Sequence, residues 1–188
     1  MTHRLEVSQM LIEHGPAAES VLVRAAEDAD LAAVQAIYAE HVVHGTGTFE
    51  EIPPDHDEIA SRWRAIIERG LPYLVADVDG KVRGFAYAGP FRPRSAYRYT
   101  VEDSIYVHPQ TLGRGVGGAL LAALIEKAGA LGFRQMIAVI GDSANTRSIR
   151  LHARHGFHRA GTLVAAGFKF GRSLDAVFMQ RTLGPPAI

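Results

Sequence analysis

The sequence predicts an α+β domain built on a mixed, mostly antiparallel sheet flanked by helices. Strand-like and helix-like segments follow one another in the order β-α-α-β-β-β-α-β-α-β-β. Asp79-Gly80 stands between two β-rich runs and marks an antiparallel hairpin. In the second half, helical stretches alternate with strands, which mixes the sheet. The chain has 188 residues, 47% of them hydrophobic and 21% charged, enough apolar material to close one core and to exclude disorder as the dominant state.

Residues 1–20 lack a clear period and contain His14-Gly15-Pro16, so they read as an extension outside a domain spanning 21–184. Val21-Leu22-Val23-Arg24 reads as a strand, and Glu27-Asp28-Ala29-Asp30 supplies acidic and capping residues for the helix after it. That helix carries Leu31, Val34, Ile37, Tyr38, His41 and Val42 on one stripe, and Gly45-Thr46-Gly47-Thr48 breaks it. A second helix begins at Pro53-Pro54-Asp55, buries Ile59, Trp63, Ile66 and Ile67, and ends at Gly70. Strands over 73–76 and 82–88 flank Asp79-Gly80. A loop over 89–94 leads to a long strand, 98–107, which His108-Pro109 closes because proline lacks the amide a central strand donates. The run Gly113-Arg114-Gly115-Val116-Gly117-Gly118 leads into a helix from Ala119 to about Gly132. A buried strand (135–140), a helix capped by Asn145 and stopped by Gly156, and two strands (162–165 and 174–181) complete the order before Pro185-Pro186.

Composition narrows the function classes. Twenty Lys+Arg balance twenty Asp+Glu, so the chain has no basic excess for a nucleic acid, and an anionic ligand must be held by a local site. With no cysteine there is no disulfide framework, thiolate metal site or cysteine nucleophile. The N-terminus lacks a signal-peptide core, and no stretch approaches the roughly 18 apolar residues of a membrane span. A soluble cytoplasmic protein without nucleic-acid or membrane partners is the expectation.

The glycine-rich turn carries the first chemical signal. Glycines between a strand and a helix let a ligand approach main-chain amides, and the helix N-terminus adds unpaired N–H groups and partial positive charge. Together they form a phosphate cradle, to which Arg114 adds a cation. A P-loop needs Lys and Ser/Thr after its last glycine, where Ala119-Leu120 stand. Gly113, Gly115 and Gly118 match the dinucleotide pattern G-x-G-x-x-G, with Asp142 as a conceivable ribose carboxylate. The antiparallel meander before the turn, and the roughly 45 residues left after Asp142, disfavour it. Tight strand–helix packing alone is the simplest alternative.

Ser104-Ile105-Tyr106-Val107-His108-Pro109, followed by Gly113 to Gly117, resembles the acetyl-CoA motif of the GCN5-related N-acetyltransferases. Asn145 to His152, ending in Gly156-Phe157, resembles that family's second motif. Tyr99-Thr100-Val101-Glu102, Ser148 to His152, and Phe168 to Arg172 with Leu174-Asp175 look like its phosphinothricin and L-amino-acid N-acetyltransferase branch. The resemblance spans about 21–183 and departs at Leu112, where the family usually carries Gln or Arg.

The resemblance implies the family's acyl-CoA N-acyltransferase fold and direct acetyl transfer to the α-amine of a small amino acid or analogue, of the phosphinothricin or methionine sulfoximine type. Acetyl-CoA is then the cosubstrate, with no metal, in a protein many of whose relatives are homodimers. The coenzyme would meet the backbone of Ile105, Tyr106 and Val107, the cradle Gly113, Arg114, Gly115, Val116, Gly117 and Gly118, and Asn145. Ser148 is a further coenzyme-binding residue, and it lies on one helix face with His152, which permits a shared site. Glu102 falls where the branch carries its catalytic glutamate, and alternation sets it with Thr100 and Ser104, opposite Val101, Asp103 and Ile105. Asp103 is its rival should a bulge swap the faces. His152 falls where the branch has a histidine that donates to the leaving sulfur or takes the amine proton through water. Arg92, Arg94 and Tyr97 on a loop, Phe49 between the first helices and Lys169 near the end are the acceptor-site residues. Arginine suits a carboxylate or phosphinate group. Transfer to protein N-termini or another amine, and a non-catalytic acyl-CoA-binding module, are the rival readings. His152, His155 and His158 lack a flanking carboxylate and are split by Gly156, which disfavours a metal. His41 and His44 read as helix-end residues.

Overall fold

The computed structural model describes residues 21–184. The predicted extension, 1–20, and Pro185-Pro186 lie outside the described residues. Seven strands, β1 (Val21–Ala25), β2 (Tyr73–Val78), β3 (Lys81–Pro90), β4 (Thr100–Val107), β5 (Gln135–Gly141), β6 (His158–Lys169) and β7 (Arg172–Thr182), form one sheet in the order β1-β2-β3-β4-β5-β7-β6. Among the described residues, only β4 and β5 pair in parallel; every other neighbour is antiparallel. Four helices accompany it: α1 (Leu31–His44), α2 (His56–Ile67), α3 (Val116–Ala130) and α4 (Thr146–Arg154). Among the described residues, no helix is long and apolar enough to cross a membrane.

Strand alternation divides the core between the two faces of the sheet. Tyr73, Val75 and Phe85 pack with Leu31, Val34, Ile37 and Val42 of α1 and Ile59 of α2. Leu74, Ala76, Ala86, Ala88 and Val101 pack on the other face with Val116, Leu120, Leu121 and Leu124 of α3. Asp79 and Gly80 both take positive φ (54° and 74°), the left-handed geometry that lets a two-residue turn follow the twist of its strands. Asp30 accepts from both terminal nitrogens of Arg24 (2.7 and 2.8 Å) and from the amide of Glu27, tying β1 to the start of α1.

Several details differ from the sequence reading. α3 begins at Val116, so Gly117 and Gly118 form its first turn. β4 starts at Thr100, because residues 95–97 form a short 3-10 turn. β6 is 12 residues long and turns into β7 through Phe170 and Gly171, both at positive φ, a hairpin that the Phe-Gly pair does not advertise. Ile67, placed on the buried side of α2, is 41% exposed because the helix ends there.

The α1–α2 connection is drawn onto the far half of the sheet. Lys169 is buried, and its ammonium donates to the carbonyls of Gly45 (2.9 Å) and Thr48 (3.0 Å). Burial lowers its pKa below the ordinary lysine value, against the charges of Glu51 and Glu50. Phe49 lies across Gly141 and Gly167. A Cβ at 141 would strike the carbonyl oxygen of Thr46, and one at 167 the Phe49 ring. Replacing Lys169 by Met leaves two buried carbonyls without their donor, a cost of about 2–4 kcal/mol. The expected outcome is a melting temperature lower by about 5–10 °C by circular dichroism; an unchanged melt would show the clamp to be dispensable.

Candidate active site

The parallel ladder between β4 and β5 covers only Thr100 to Asp103 against Gln135 to Ala138. Beyond that point β4 stays bound to β3 through Val107, and β5 stays bound to β7 through Gly141. The two strands part, and a cleft of about 800 Å³ opens between them. Glu102, Asp103, Ser104 and the backbone of Ile105 to Val107 line one wall, and Ala138 to Gly141 line the other. The α1–α2 connection, from Gly45 to Phe49, and α4, with Asn145, Ser148 and His152, complete it.

At the end of β4 the chain turns through Gly113 (φ 85°) and Gly115 (φ 83°), the positions in this run whose backbone requires glycine. Gly115 is the N-cap of α3. The first intrahelical bond runs from Ala119 to the carbonyl of Gly115, so the amides of Val116, Gly117 and Gly118 have no partner one turn back. Gly117 and Gly118 face Leu151 and His155 of α4 closely, so the packing role weighed for these glycines is also present. None of Gly113 to Gly118 lines the cleft itself; Leu112, immediately before them, does. The donor set suits a diphosphate: three amides at a positively polarised helix end, beside Arg114, with no carboxylate within the turn.

Glu102 and Asp103 lie on opposite faces of β4, as alternation requires, and no bulge interrupts the β3–β4 register. Glu102 is half-buried on the α1 side. Burial raises its carboxyl pKa; the Arg92 charge opposes this and the Asp103 charge adds to it. Ser104, on the same face, stands opposite Tyr87 in the register, and burial raises the pKa of the Tyr87 phenol. Asp103 is buried on the α4 side, where its Oδ2 lies 2.9 Å from Nε2 of His152. Nδ1 of His152 donates to the carbonyl of Ser148 at 2.8 Å, with Ser148 Oγ at 3.4 Å. Burial works against the charged ring, but the bond and charge of Asp103 and the Ser148 carbonyl outweigh it, and the His152 pKa is raised. Asn145 caps α4 by accepting from the amide of Ser148 at 3.3 Å.

The acceptor-site residues divide. Phe49 lines the cleft. Arg92 stands close enough to act on Glu102, while its guanidinium stacks over Phe91 at 4.4 Å and donates to the Phe91 carbonyl. Arg94 and Tyr97 are exposed on the loop outside the cleft, Tyr97 edge-on to Phe91 at 5.6 Å. Lys169 departs from its expected role, because the carbonyls of Gly45 and Thr48 take its ammonium beneath the loop. Asp142, weighed as a ribose carboxylate, instead binds Arg172 (2.6 Å) and the amide of Ala144. Among the described residues no group of three His, Cys, Asp or Glu is placed to hold a metal.

Two participants were missed from sequence. His41 is no mere helix end: its Nε2 donates to the carbonyl of Val107 at 2.9 Å, and its ring packs against Tyr106. Burial lowers its pKa, against the Val107 hydrogen bond. The Asp103–His152 pair had one usable signal, a carboxylate at the apolar-facing position between Val101 and Ile105.

Known proteins resemble this chain in sequence and fold. The chain is 54% identical over 161 residues to the phosphinothricin N-acetyltransferase of Alcaligenes faecalis, covering 86% of this chain and 82% of that one. It is 43% identical over 167 residues to an L-methionine sulfoximine/L-methionine sulfone acetyltransferase of Pseudomonas paraeruginosa, covering 88% and 96%. A crystal structure of a phosphinothricin acetyltransferase from Sinorhizobium meliloti in complex with acetyl-CoA superimposes with a TM-score of 0.85 at 51% identity, covering 87% of this chain and 89% of that one. Residues 22–157 match the Acetyltransferase (GNAT) family, and the chain belongs to it.

Proposed function

We propose that this chain is an acetyl-CoA-dependent N-acetyltransferase acting on the α-amino group of a small amino acid or analogue, of the phosphinothricin or methionine sulfoximine/sulfone kind. The observation that carries the reading is the parting of β4 and β5 beside Glu102, a half-buried carboxylate facing the cleft they leave. The names and identities of the relatives support the acceptor class. The amides of Val116, Gly117 and Gly118 with Arg114 would hold the diphosphate of acetyl-CoA, and the cleft-facing backbone of Ile105 to Val107, apart from the Val107 carbonyl that His41 occupies, would hold its arm. When bound there, that cosubstrate supplies the acyl thioester.

Glu102 accepts the proton that the amine must lose. An α-ammonium with a pKa near 8 needs only a modest base, and a carboxyl whose pKa burial has raised is better matched to it than an exposed one. His152 is the second titratable group of the site. Phe49 and the α1–α2 connection cover the cleft, and Arg92 offers a cation beside Glu102 for the acceptor's own acidic group. Without a cysteine to carry an acyl group, transfer is direct. A homodimer in the cytoplasm completes the proposal. Leu163, Val164 and Phe168 of β6 are 55–78% exposed on the edge strand of the sheet, an apolar edge that a second copy would cover.

Glu102→Gln is expected to lower kcat by about 10²–10³-fold on the best amino-acid acceptor, assayed by thiol release. In the parent, kcat falls as pH drops through the raised Glu102 pKa, with a midpoint above the ordinary glutamate value near 4.3, and the substitution abolishes that acid limb. Unchanged turnover would remove Glu102 from the chemistry. Val164→Lys together with Phe168→Lys is expected to convert the dimer to a monomer in sedimentation experiments; a monomeric parent would refute the dimer.

A further inference from the structure

We propose that Asp103 is a positioning residue that holds His152 as a doubly protonated imidazolium, and so makes His152 the proton donor of the transfer and leaves proton acceptance to Glu102. This rests on the function proposed above and assigns the direction of proton flow within it.

The geometry of the ring carries the argument. The Ser148 carbonyl, 2.8 Å from Nδ1, can only accept, so Nδ1 bears a hydrogen. An ionised Asp103, with Oδ2 at 2.9 Å from Nε2, also only accepts, so Nε2 bears one too. The alternative distribution, a neutral ring beside a protonated Asp103, sets the proton on the weaker base, since ordinary carboxyl groups titrate well below imidazole. Both side chains are nearly closed to solvent, at 4% for His152 and 2% for Asp103. The carboxylate is therefore the charge that keeps the imidazolium from being an unpaired buried cation.

Among the described residues, the ionisable groups around the ring are otherwise engaged: Arg181 of β7 reaches the end of α4 but donates to the carbonyl of His155. β5, packed beside α4, has no ionisable group between Gln135 and Gly141. α3 meets α4 through Gly117 against Leu151 and Gly118 against His155, while its Glu126 and Lys127 lie in its other half. On α4, Arg147, Arg150 and Arg154 are exposed, and His155 turns to the carbonyl of Leu151. Glu102 is on the opposite face of β4. Phe157 packs edge to face against His152 at 5.0 Å. The raised pKa of His152 agrees with this setting.

A ring with both nitrogens protonated cannot accept the amine proton; it can only give one. As the new N–C bond forms and the C–S bond breaks, Glu102 takes one proton from the attacking amine and the sulfur receives one from His152. The products are a neutral amide and a thiol, with Glu102 one proton up and His152 one down until solvent resets both. The proton leaves Nδ1 through the Ser148 hydroxyl at 3.4 Å, which takes it while passing its own proton to the sulfur and then donates back to the bare Nδ1, while Nε2–H stays with the carboxylate. Asp103 acts through the ring that it holds.

Nitrogen-15 NMR of the full-length labelled protein tests this without substrate, the His152 signals being assigned by their loss in His152→Asn. Both ring nitrogens should be protonated at pH 7, with a midpoint above the ordinary 6.5. Asp103→Asn should lower that midpoint by at least one pH unit, a tenfold loss of proton affinity. The alkaline limb of kcat should move down with it, leaving the acid limb of Glu102 in place. A neutral His152 at pH 7 in the parent overturns the proposal even if Asp103→Asn fails to fold, and so does a midpoint that ignores the substitution. An imidazolium in a protein that acetylates no amino acid would instead overturn the proposed function alone.

Discussion

The structure depends on one interrupted ladder. β4 and β5 run parallel for four residue pairs and then separate, while each stays fully bonded on its outer side, β4 to β3 and β5 to β7. Separation strips one edge of each strand of its main-chain partners, which is costly in a protein interior unless something else takes the hydrogen bonds. His41 satisfies one such group, the carbonyl of Val107, from α1. The remaining edge of β4 faces the cleft beside Ser104 to Tyr106. Under the proposed function, a ligand with amides of its own would recover there what the sheet gives up, and the break in the sheet would double as the binding feature.

The surroundings keep that break from closing. On one face α3 packs its Leu120, Leu121 and Leu124 beneath the first four strands and points its N-terminus at the end of β4. On the other, the α1–α2 connection is held down by Lys169 and by the Phe49 ring lying over two glycines. A lysine spent on two carbonyls is an uncommon use of a buried charge. Here it joins the β6–β7 hairpin to a loop more than a hundred residues earlier, and the cleft acquires a fixed roof.

Much of this was legible in the amino-acid sequence. The hairpin at Asp79-Gly80, the α1 stripe, the Asn145 cap and the opposite faces of Glu102 and Asp103 follow from period and turn chemistry that act within a few residues. What escaped acts over long distance. Nothing near Lys169 announces that its partners are Gly45 and Thr48, and nothing near His41 points to Val107. The end of β6 is hidden in the sequence because Phe170 takes a positive φ that a bulky residue seldom adopts, so the turn carries half of the usual signature. The glycine run was read as loop where its latter half is helix, since glycine's weak helix propensity is outweighed by the packing of α3 against α4 and β4.

Two adjacent carboxylates on β4 show how a strand separates chemical roles. Consecutive side chains point to opposite faces, so Glu102 and Asp103 share almost the same position along the chain yet meet different environments. Glu102 meets partial burial that outweighs the opposing charge of Arg92, and the proton becomes easier to keep. Asp103 meets an imidazole in direct contact, and the proton belongs to the ring. Sequence adjacency thus yields one group fit to accept a proton and one fit to hold another group protonated, on either side of the same backbone. A one-residue slip of β4 would exchange the two and set a carboxylate without a partner beside α4. The unbroken β3–β4 register, with Gly89 opposite Glu102 and Ala88 opposite Asp103, is what prevents it.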